Sequence, residues 1–277
     1  RSFKLPLVIL IFNSILALVA LLDMYSMINQ VRQTAEIQYS SFLSLYVFSA
    51  SVEFVMLLFL VPAMTAGSIS GERERRTLNL LLTTQMTAGD VVIGKLAANL
   101  STILLLIVSS FPILALVFIY GGITILDAAL LLLCYVTTAF LTGSIGVFCS
   151  AYFRKSTIAT VASYCITVLL SLGTVAAYEL SGVLGHDSGF NGSSGFFYLM
   201  LFNPGASFRS ALSSQIGVGN EIADFFPWLE QGPVSFVSEH WMLFGTVTQI
   251  GLAVVLVWLA VRKVEPVKRR SAKKTEH

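Results

Sequence analysis

Residues 67–90 read GSISGERERRTLNLLLTTQMTAGD. On either side of them lie apolar stretches, residues 42–66 and 96–119. Each has about the length, roughly 20 residues, that a helix needs to cross a bilayer core of about 30 Å. A segment this polar does not cross with them, so it lies at one end of the bundle and turns the second span into the third. After Gly71 the pattern predicts a short amphipathic helix. Leu78, Leu81 and Leu82 share one face at i, i+3, i+4 spacing, and Glu72 and Arg76 form an i, i+4 pair on another. Thr87-Ala-Gly-Asp90 fits a capping box that opens the next helix. A connection that only set topology would need charge alone. One with its own apolar face is shaped to touch lipid headgroups or a protein.

Working outward, residues 5–27, 128–150, 158–178 and 241–261 are four further apolar stretches of spanning or near-spanning length. The fold class is therefore an all-α integral membrane protein with six transmembrane helices. Composition agrees: the 277 residues are 56% hydrophobic and 12% charged, about half the charge of a typical soluble domain, and mean hydropathy is +0.81. A net charge of +2 gives no electrostatic footprint for nucleic acid. The first stretch has a basic start, Arg1 and Lys4, but no small-residue cleavage site, and five spans follow it, so it reads as a retained helix.

Six spans impose an alternation of sides, and 15 of the 17 Lys and Arg residues then fall on one side. The other side receives only Arg32 and Arg209 among cations, and gathers Asp23, Glu36, Asp127, Asp187, Glu221, Asp224, Glu230 and Glu239. The bias of Lys and Arg toward cytoplasmic loops predicts cytoplasmic termini in a plasma membrane of bacterial type. Residues 1–262 read as one transmembrane domain, with residues 67–90 on the cytoplasmic side and residues 179–240 on the outer side. Residues 263–277 form a basic cytoplasmic tail, a topology anchor that frays into water and can meet anionic lipid headgroups.

In the outer segment, the Gly- and Ser-rich residues 181–195 read as flexible. The apolar run 196–202 is a half-helix broken from residues 206–216 by the turn Asn203-Pro-Gly205, too short to span and too apolar for solvent. A re-entrant hairpin, its backbone covered by protein, is the expected solution. Phe225, Phe226, Trp228 and Trp241 suit the aromatic belt.

Chemistry-bearing groups are few. Cys134, Cys149 and Cys165 lie in apolar runs and read as buried packing residues. His186, His240 and His277 stand apart, so no metal site is expected. Residues 89–96, GDVVIGKL, match a phosphate loop until Leu96, which stands where a Ser or Thr must hold magnesium, and no strand precedes them. No span holds a His or paired aspartates, which excludes an intramembrane protease; Gly143-Ser144-Ile145-Gly146 is a weak serine-loop lookalike. Within the spans, Glu53 lies near Ser49 and Ser51. An ionisable group there costs about 2.5–3.5 kcal/mol on insertion scales and faces the bundle interior. It either lines a substrate path or pairs with a polar neighbour. Asn13, Asn99 and Gln249 read as interhelical hydrogen-bond partners, and Glu53, Ser49, Asn99 and Gln249 are the candidates for a translocation path. Thr142, Gly146 and Ser150 form a small-residue seam for close helix approach, and Pro112 is expected to kink the third span.

Glu74-Arg-Arg-Thr-Leu78, then Leu81-Leu-Thr-Thr84, then Gly94-Lys95, resembles the signature of ABC transporter permeases of the type-2 exporter family. There a Glu-x-Gly-Thr-Leu run precedes Leu-Leu-x-Thr-Pro and a Gly-Lys at the start of the third span. Asn203-Pro204 is similar to the Asn-Pro often found in that family's outer hairpin. The chain departs from the pattern at Arg76, where the family has glycine, and at Gln85, where it has proline. Arg at position 76 is compatible with a continuous helix, since Arg is a better helix former than Gly.

The resemblance implies six spans, a cytoplasmic coupling helix between spans two and three, and a re-entrant hairpin before the last span. It implies a separate ABC ATP-binding subunit that docks on Glu72, Glu74, Arg75 and Arg76 through ion pairs. Leu78, Leu81 and Leu82 would seat the coupling helix, and Thr77 or Thr83 would cap or turn it. A second permease copy or paralogue completes the assembly among membrane lipids. ATP and magnesium belong to the partner, with no cofactor and no catalytic residue in this chain, and transport runs outward. Two other readings stay open on the residues alone: an ion-coupled carrier using Glu53, and a scaffold or sensor subunit that transports nothing.

Overall fold

The computed structural model describes residues 4–34, 39–76, 87–121, 124–178, 180, 198–216, 236–237 and 240–264. Thr77, Leu78, Leu81, Leu82, Thr83 and Gln85 lie outside them, as do residues 181–197 and 217–235 and those beyond residue 264. Among the described residues there is no strand. The helices are α1 (Lys4–Thr34), α2 (Tyr39–Thr65), α3 (Ser70–Glu74), α4 (Ala88–Gly121), α5 (Ile125–Tyr152), α6 (Ser156–Val168), α7 (Pro204–Ile216) and α8 (Trp241–Val264). A π-helical turn, Leu169–Gly173, carries α6 on to Tyr178. Six helical segments, in α1, α2, α4, α5, α6 with its extension, and α8, are long and apolar enough to cross a membrane. They correspond to the six stretches read from the sequence.

Helix starts follow their capping chemistry. Thr87 and Asp90 exchange hydrogen bonds at the head of α4, the Thr87 N–H donating to Asp90 Oδ2 at 3.0 Å and the Asp90 N–H to Thr87 Oγ1 at 3.2 Å. Thr124 and Asp127 form the same box at the head of α5. Helix α4 passes through Pro112, and α2 through Pro62.

Helix α5 is the centre of the bundle, packed on α2, α4, α6, α7 and α8. Its buried face is rich in small and hydroxyl residues, including Thr138, Ala139, Thr142, Gly143, Gly146 and Ser150. Apolar side chains elsewhere point outward, among them Val247 and Val254 on α8 and Leu169 and Leu172 beyond α6. This is membrane logic: lipid is as apolar as leucine, so small residues and hydrogen bonds select the helix faces that meet. At Gly146 a Cβ would overlap the Thr65 side chain, coming within 2.8 Å of Thr65 Cβ. The seam expected along Thr142, Gly146 and Ser150 thus receives the end of α2. Further ties are the Asn13 amide donating to Ser109 Oγ (2.9 Å), which joins α1 to α4, and the Tyr164 hydroxyl donating to Phe59 O (2.7 Å), which joins α6 to α2. Cys134 and Cys149 are buried as expected. Cys165 is exposed, because it sits on the outward face of α6, which packs by Ala159, Ser163 and Thr167.

Helix α7 packs on α2, α5 and α8. Asn203, immediately before it, is buried and threefold bonded. Its amide donates to Ser171 O (2.8 Å) and Thr174 Oγ1 (2.8 Å), and its Oδ1 accepts the Gly205 N–H (2.8 Å). Ser171 lies in the π-helical turn, where widened winding disturbs the regular backbone pairing and leaves a carbonyl for an outside donor. Gln249 of α8 donates to Ser207 Oγ (2.8 Å) and Asn203 O (3.3 Å), and Thr248 Oγ1 donates to Leu201 O (3.1 Å). The Gln215 amide donates to Asp127 O (2.8 Å) and its carbonyl accepts the Tyr46 hydroxyl (2.6 Å).

Two stability outcomes follow from these contacts. Gly146→Ala is expected to lose about 1–3 kcal/mol, because the packed Thr65 side chain must shift. Gly251→Ala, where a Cβ meets nothing within 4 Å, should stay within about 0.5 kcal/mol of the parent in the same detergent unfolding experiment. Asn203→Ala should lose about 1–3 kcal/mol by removing three side-chain hydrogen bonds at a buried position. Asn203→Asp should lose more, since it replaces two donated bonds by an unpaired buried charge.

Candidate functional site

The chain leaves α2 at Thr65, makes two tight turns over residues 66–69 and enters α3. Ser150, one turn past Gly146 on α5, captures this corner. Its Oγ accepts the N–H groups of Ile69 (2.8 Å) and Ser70 (2.9 Å), and the two serine hydroxyls lie 3.2 Å apart. Around it Ile69, Ala88, Val92, Ala151, Ala260 and Val264 form one buried apolar cluster, so the ends of α4, α5 and α8 meet beneath α3.

The charged run of α3 is spent on neighbouring helix ends. The Arg73 guanidinium donates to Ala151 O (3.2 Å) and Phe153 O (3.4 Å), carbonyls left over where α5 stops. The Glu74 carboxylate accepts the N–H and the hydroxyl of Ser156, each at 2.9 Å, at the first residue of α6. The N-cap residue there, Lys155, supplies no side-chain cap, so Glu74 takes that place, with its charge at the positive end of the helix. Glu72 pairs with Lys95 of α4 at 2.6 Å. Five residues thus touch three spans.

The helix stops there. The Arg75 N–H returns to Gly71 O, and Arg76 has φ 59°, the left-handed conformation that favours glycine. The expected Glu72–Arg76 pair along a continuous helix is therefore corrected: Glu72 turns to Lys95, and the backbone breaks at Arg76. Position 76 is where the signature has glycine, and the backbone keeps the glycine conformation with an arginine in it. Arg75 and Arg76 are both exposed. Beside them opens a cavity of about 250 Å³ lined by Gly67, Ser68, Gly71, Glu72, Arg75 and Lys95. Sequence reading missed Arg73, Ser150 and Ser156. Arg73 and Ser150 carried a signal only as a charge in a basic loop and as one residue of the small seam, and Ser156 carried none.

The other candidates do not converge. Glu53 is fully buried on α2 and accepts the Ser110 hydroxyl of α4. Ser49 is buried one turn before it. Asn99 holds a buried amide nitrogen with no hydrogen-bond partner. Gln249 is committed to Asn203 and Ser207, so it fastens α7 to α8.

A family model for ABC-2 family transporter proteins matches residues 1–264. The chain belongs to that family. No curated protein matches the sequence. An ABC-2 chain is a multi-pass membrane subunit of a transport system and is not itself catalytic, and such chains typically work with an ATP-binding subunit. The match takes in every span and the corner at residues 66–76.

Arg76→Gly in this ABC-2 chain is expected to raise stability by about 1 kcal/mol, because it removes the Cβ clash of the left-handed backbone. Gly71→Ala meets open space in a helix and serves as the comparison. A shift of the unfolding midpoint to higher temperature for Arg76→Gly checks the assignment.

Proposed function

We propose that this chain is the permease subunit of an ATP-driven ABC exporter, forming the translocation path and coupling to a separate ATP-binding subunit at its basic, cytoplasmic end. The observation that carries the reading is the triple anchorage of α3. Lys95, the end of α5 and the start of α6 are all held by Glu72, Arg73 and Glu74, while Arg75 and Arg76 face outward at the break. A force on the exposed arginines reaches three spans at once through short, charged contacts.

The docking roles divide accordingly. Glu72 and Glu74 position the segment, and Arg75, Arg76 and the residues that follow, with Leu78, Leu81 and Leu82 as the apolar seat and Thr77 or Thr83 at the turn, meet the partner. ATP and magnesium are held by that partner. Its closure changes the balance between inward-closed and outward-open arrangements, and the coupling is the difference in contact energy between the two. Two such permeases pair among lipids in a bacterial plasma membrane, with both termini cytoplasmic, one six-helix transmembrane domain each and a basic tail. In this reading α7 is the inner arm of a re-entrant outer hairpin, and its tight seat on α2, α5 and α8 supports that placement.

Arg75→Glu combined with Arg76→Glu should abolish co-purification of an ATP-binding subunit in mild detergent, or weaken it at least roughly tenfold, as charge-assisted contacts of that strength imply. Glu72→Gln should keep the subunit bound, with stability changed by no more than about 1 kcal/mol for a partly exposed pair, yet lower the coupled ATPase rate. Retention of both binding and rate in the double variant would overturn the docking assignment.

A further inference from the structure

Glu53 is the most anomalous group in the bundle. Its side chain is fully buried within a membrane-spanning helix, one carboxyl oxygen accepts the Ser110 hydroxyl, and the other is buried without a partner. Ser49 Oγ, one turn away on the same helix, is also buried and unpartnered. No cation bonds to Glu53 among the described residues, and the Tyr46 and Tyr135 side chains interact with it electrostatically. Neither satisfies it: the Tyr135 hydroxyl donates to Ala50 O (2.9 Å) and the Tyr46 hydroxyl to Gln215 (2.6 Å).

Aromatic faces stand alongside. Phe54 stacks on Phe208 of α7 at 4.2 Å, and Tyr135 lies 6.1 Å from the same ring. Leu57, Ile107 and Leu212 belong to the same buried apolar cluster. A buried carboxyl oxygen and a buried hydroxyl without partners, with aromatic rings stacked on one another between α2, α5 and α7, are groups that would receive positive charge carried on an apolar body once α7 moved off α2. An anion would meet the carboxylate, and a polyol would find too few donors.

We propose that Glu53, with Ser49 and the rings of Phe54, Tyr135 and Phe208, binds a hydrophobic organic cation when α7 and α2 separate. The site deepens the permease reading and rests on it for its access. A structural strut between α2 and α4 is the competing role, and Glu53→Gln separates the two: the amide keeps the volume and the acceptor for Ser110 but removes the charge.

The experiment is equilibrium binding of radiolabelled tetraphenylphosphonium to the full chain in nanodiscs, purified with whatever subunits accompany it, with triphenylphosphine oxide as neutral competitor. The expected result is saturable binding by the parent. Affinity should be weakened roughly tenfold or more by Glu53→Gln, as loss of a charged partner in a desolvated site implies, and largely kept by Glu53→Asp. Phe208→Ala should weaken it as well, and the oxide should compete poorly. No saturable binding by the parent, equal affinity in the parent and Glu53→Gln, or equal competition by the oxide would each overturn the site. Co-purification of an ATP-binding subunit, scored on the same preparations, judges the permease reading separately. Loss of that subunit from the Arg75→Glu, Arg76→Glu variant with no cation binding in the parent sinks the site and leaves the permease. Glu53-dependent binding without any ATP-binding subunit does the reverse.

Discussion

The close approach of α2 to α5 at Gly146 is the constraint on which the basic end depends. A side chain at 146 would overlap Thr65, so the two helices meet at backbone distance just where α2 ends. One turn further along α5, Ser150 is then near enough to bond the N–H groups of Ile69 and Ser70. Those bonds fix the corner, the corner fixes the direction of α3, and α3 delivers Arg73 and Glu74 to the adjoining ends of α5 and α6. Inside a bilayer there is no gain from apolar contact between helices, so a glycine and a serine decide what bulky residues decide in a soluble core.

The ionic residues of α3 act as caps for helices other than their own. Helix α5 ends and α6 begins within residues 153–155, a connection too short to satisfy the carbonyls at one terminus and the N–H groups at the other. A guanidinium has several donors for the first need, and a carboxylate has two acceptor oxygens for the second. Because each bond spans about 80 residues of sequence, the segment between α2 and α4 becomes part of the turn between α5 and α6.

Much of this was legible beforehand. Span number follows from hydropathy. The capping boxes at Thr87 and Thr124 are local, so the one looked for, at Thr87, was readable. The seam of Thr142, Gly146 and Ser150 was readable because residue size is itself the signal. What escaped depends on tertiary partners. Gln249 was readable as an interhelical hydrogen-bond partner, yet which groups its amide meets, Asn203 and Ser207, nothing local announces. The π-helical turn that frees Ser171 for Asn203 has no periodicity of its own. Cys165 was assigned to the core from its apolar neighbours, although helix rotation alone decides which face of α6 turns outward. Glu72 and Arg76 have correct spacing for a pair, and the backbone at Arg76 removes the helix that spacing assumes.

Arg76 is also instructive for what it tolerates. A left-handed arginine costs about 1–2 kcal/mol relative to a right-handed one, and glycine would avoid that at the same φ. Among the described residues no bond of the Arg76 side chain explains the choice, because the neighbouring charges already satisfy the ends of α5 and α6, and Arg76 is exposed. Where a strained backbone persists with a large charged side chain, the side chain's use outside the fold is the physical reason consistent with it. The break sets Arg76 beside Arg75 in the chain, both exposed. Charges that tie α3 to three spans lie before the break, and two exposed arginines lie at it.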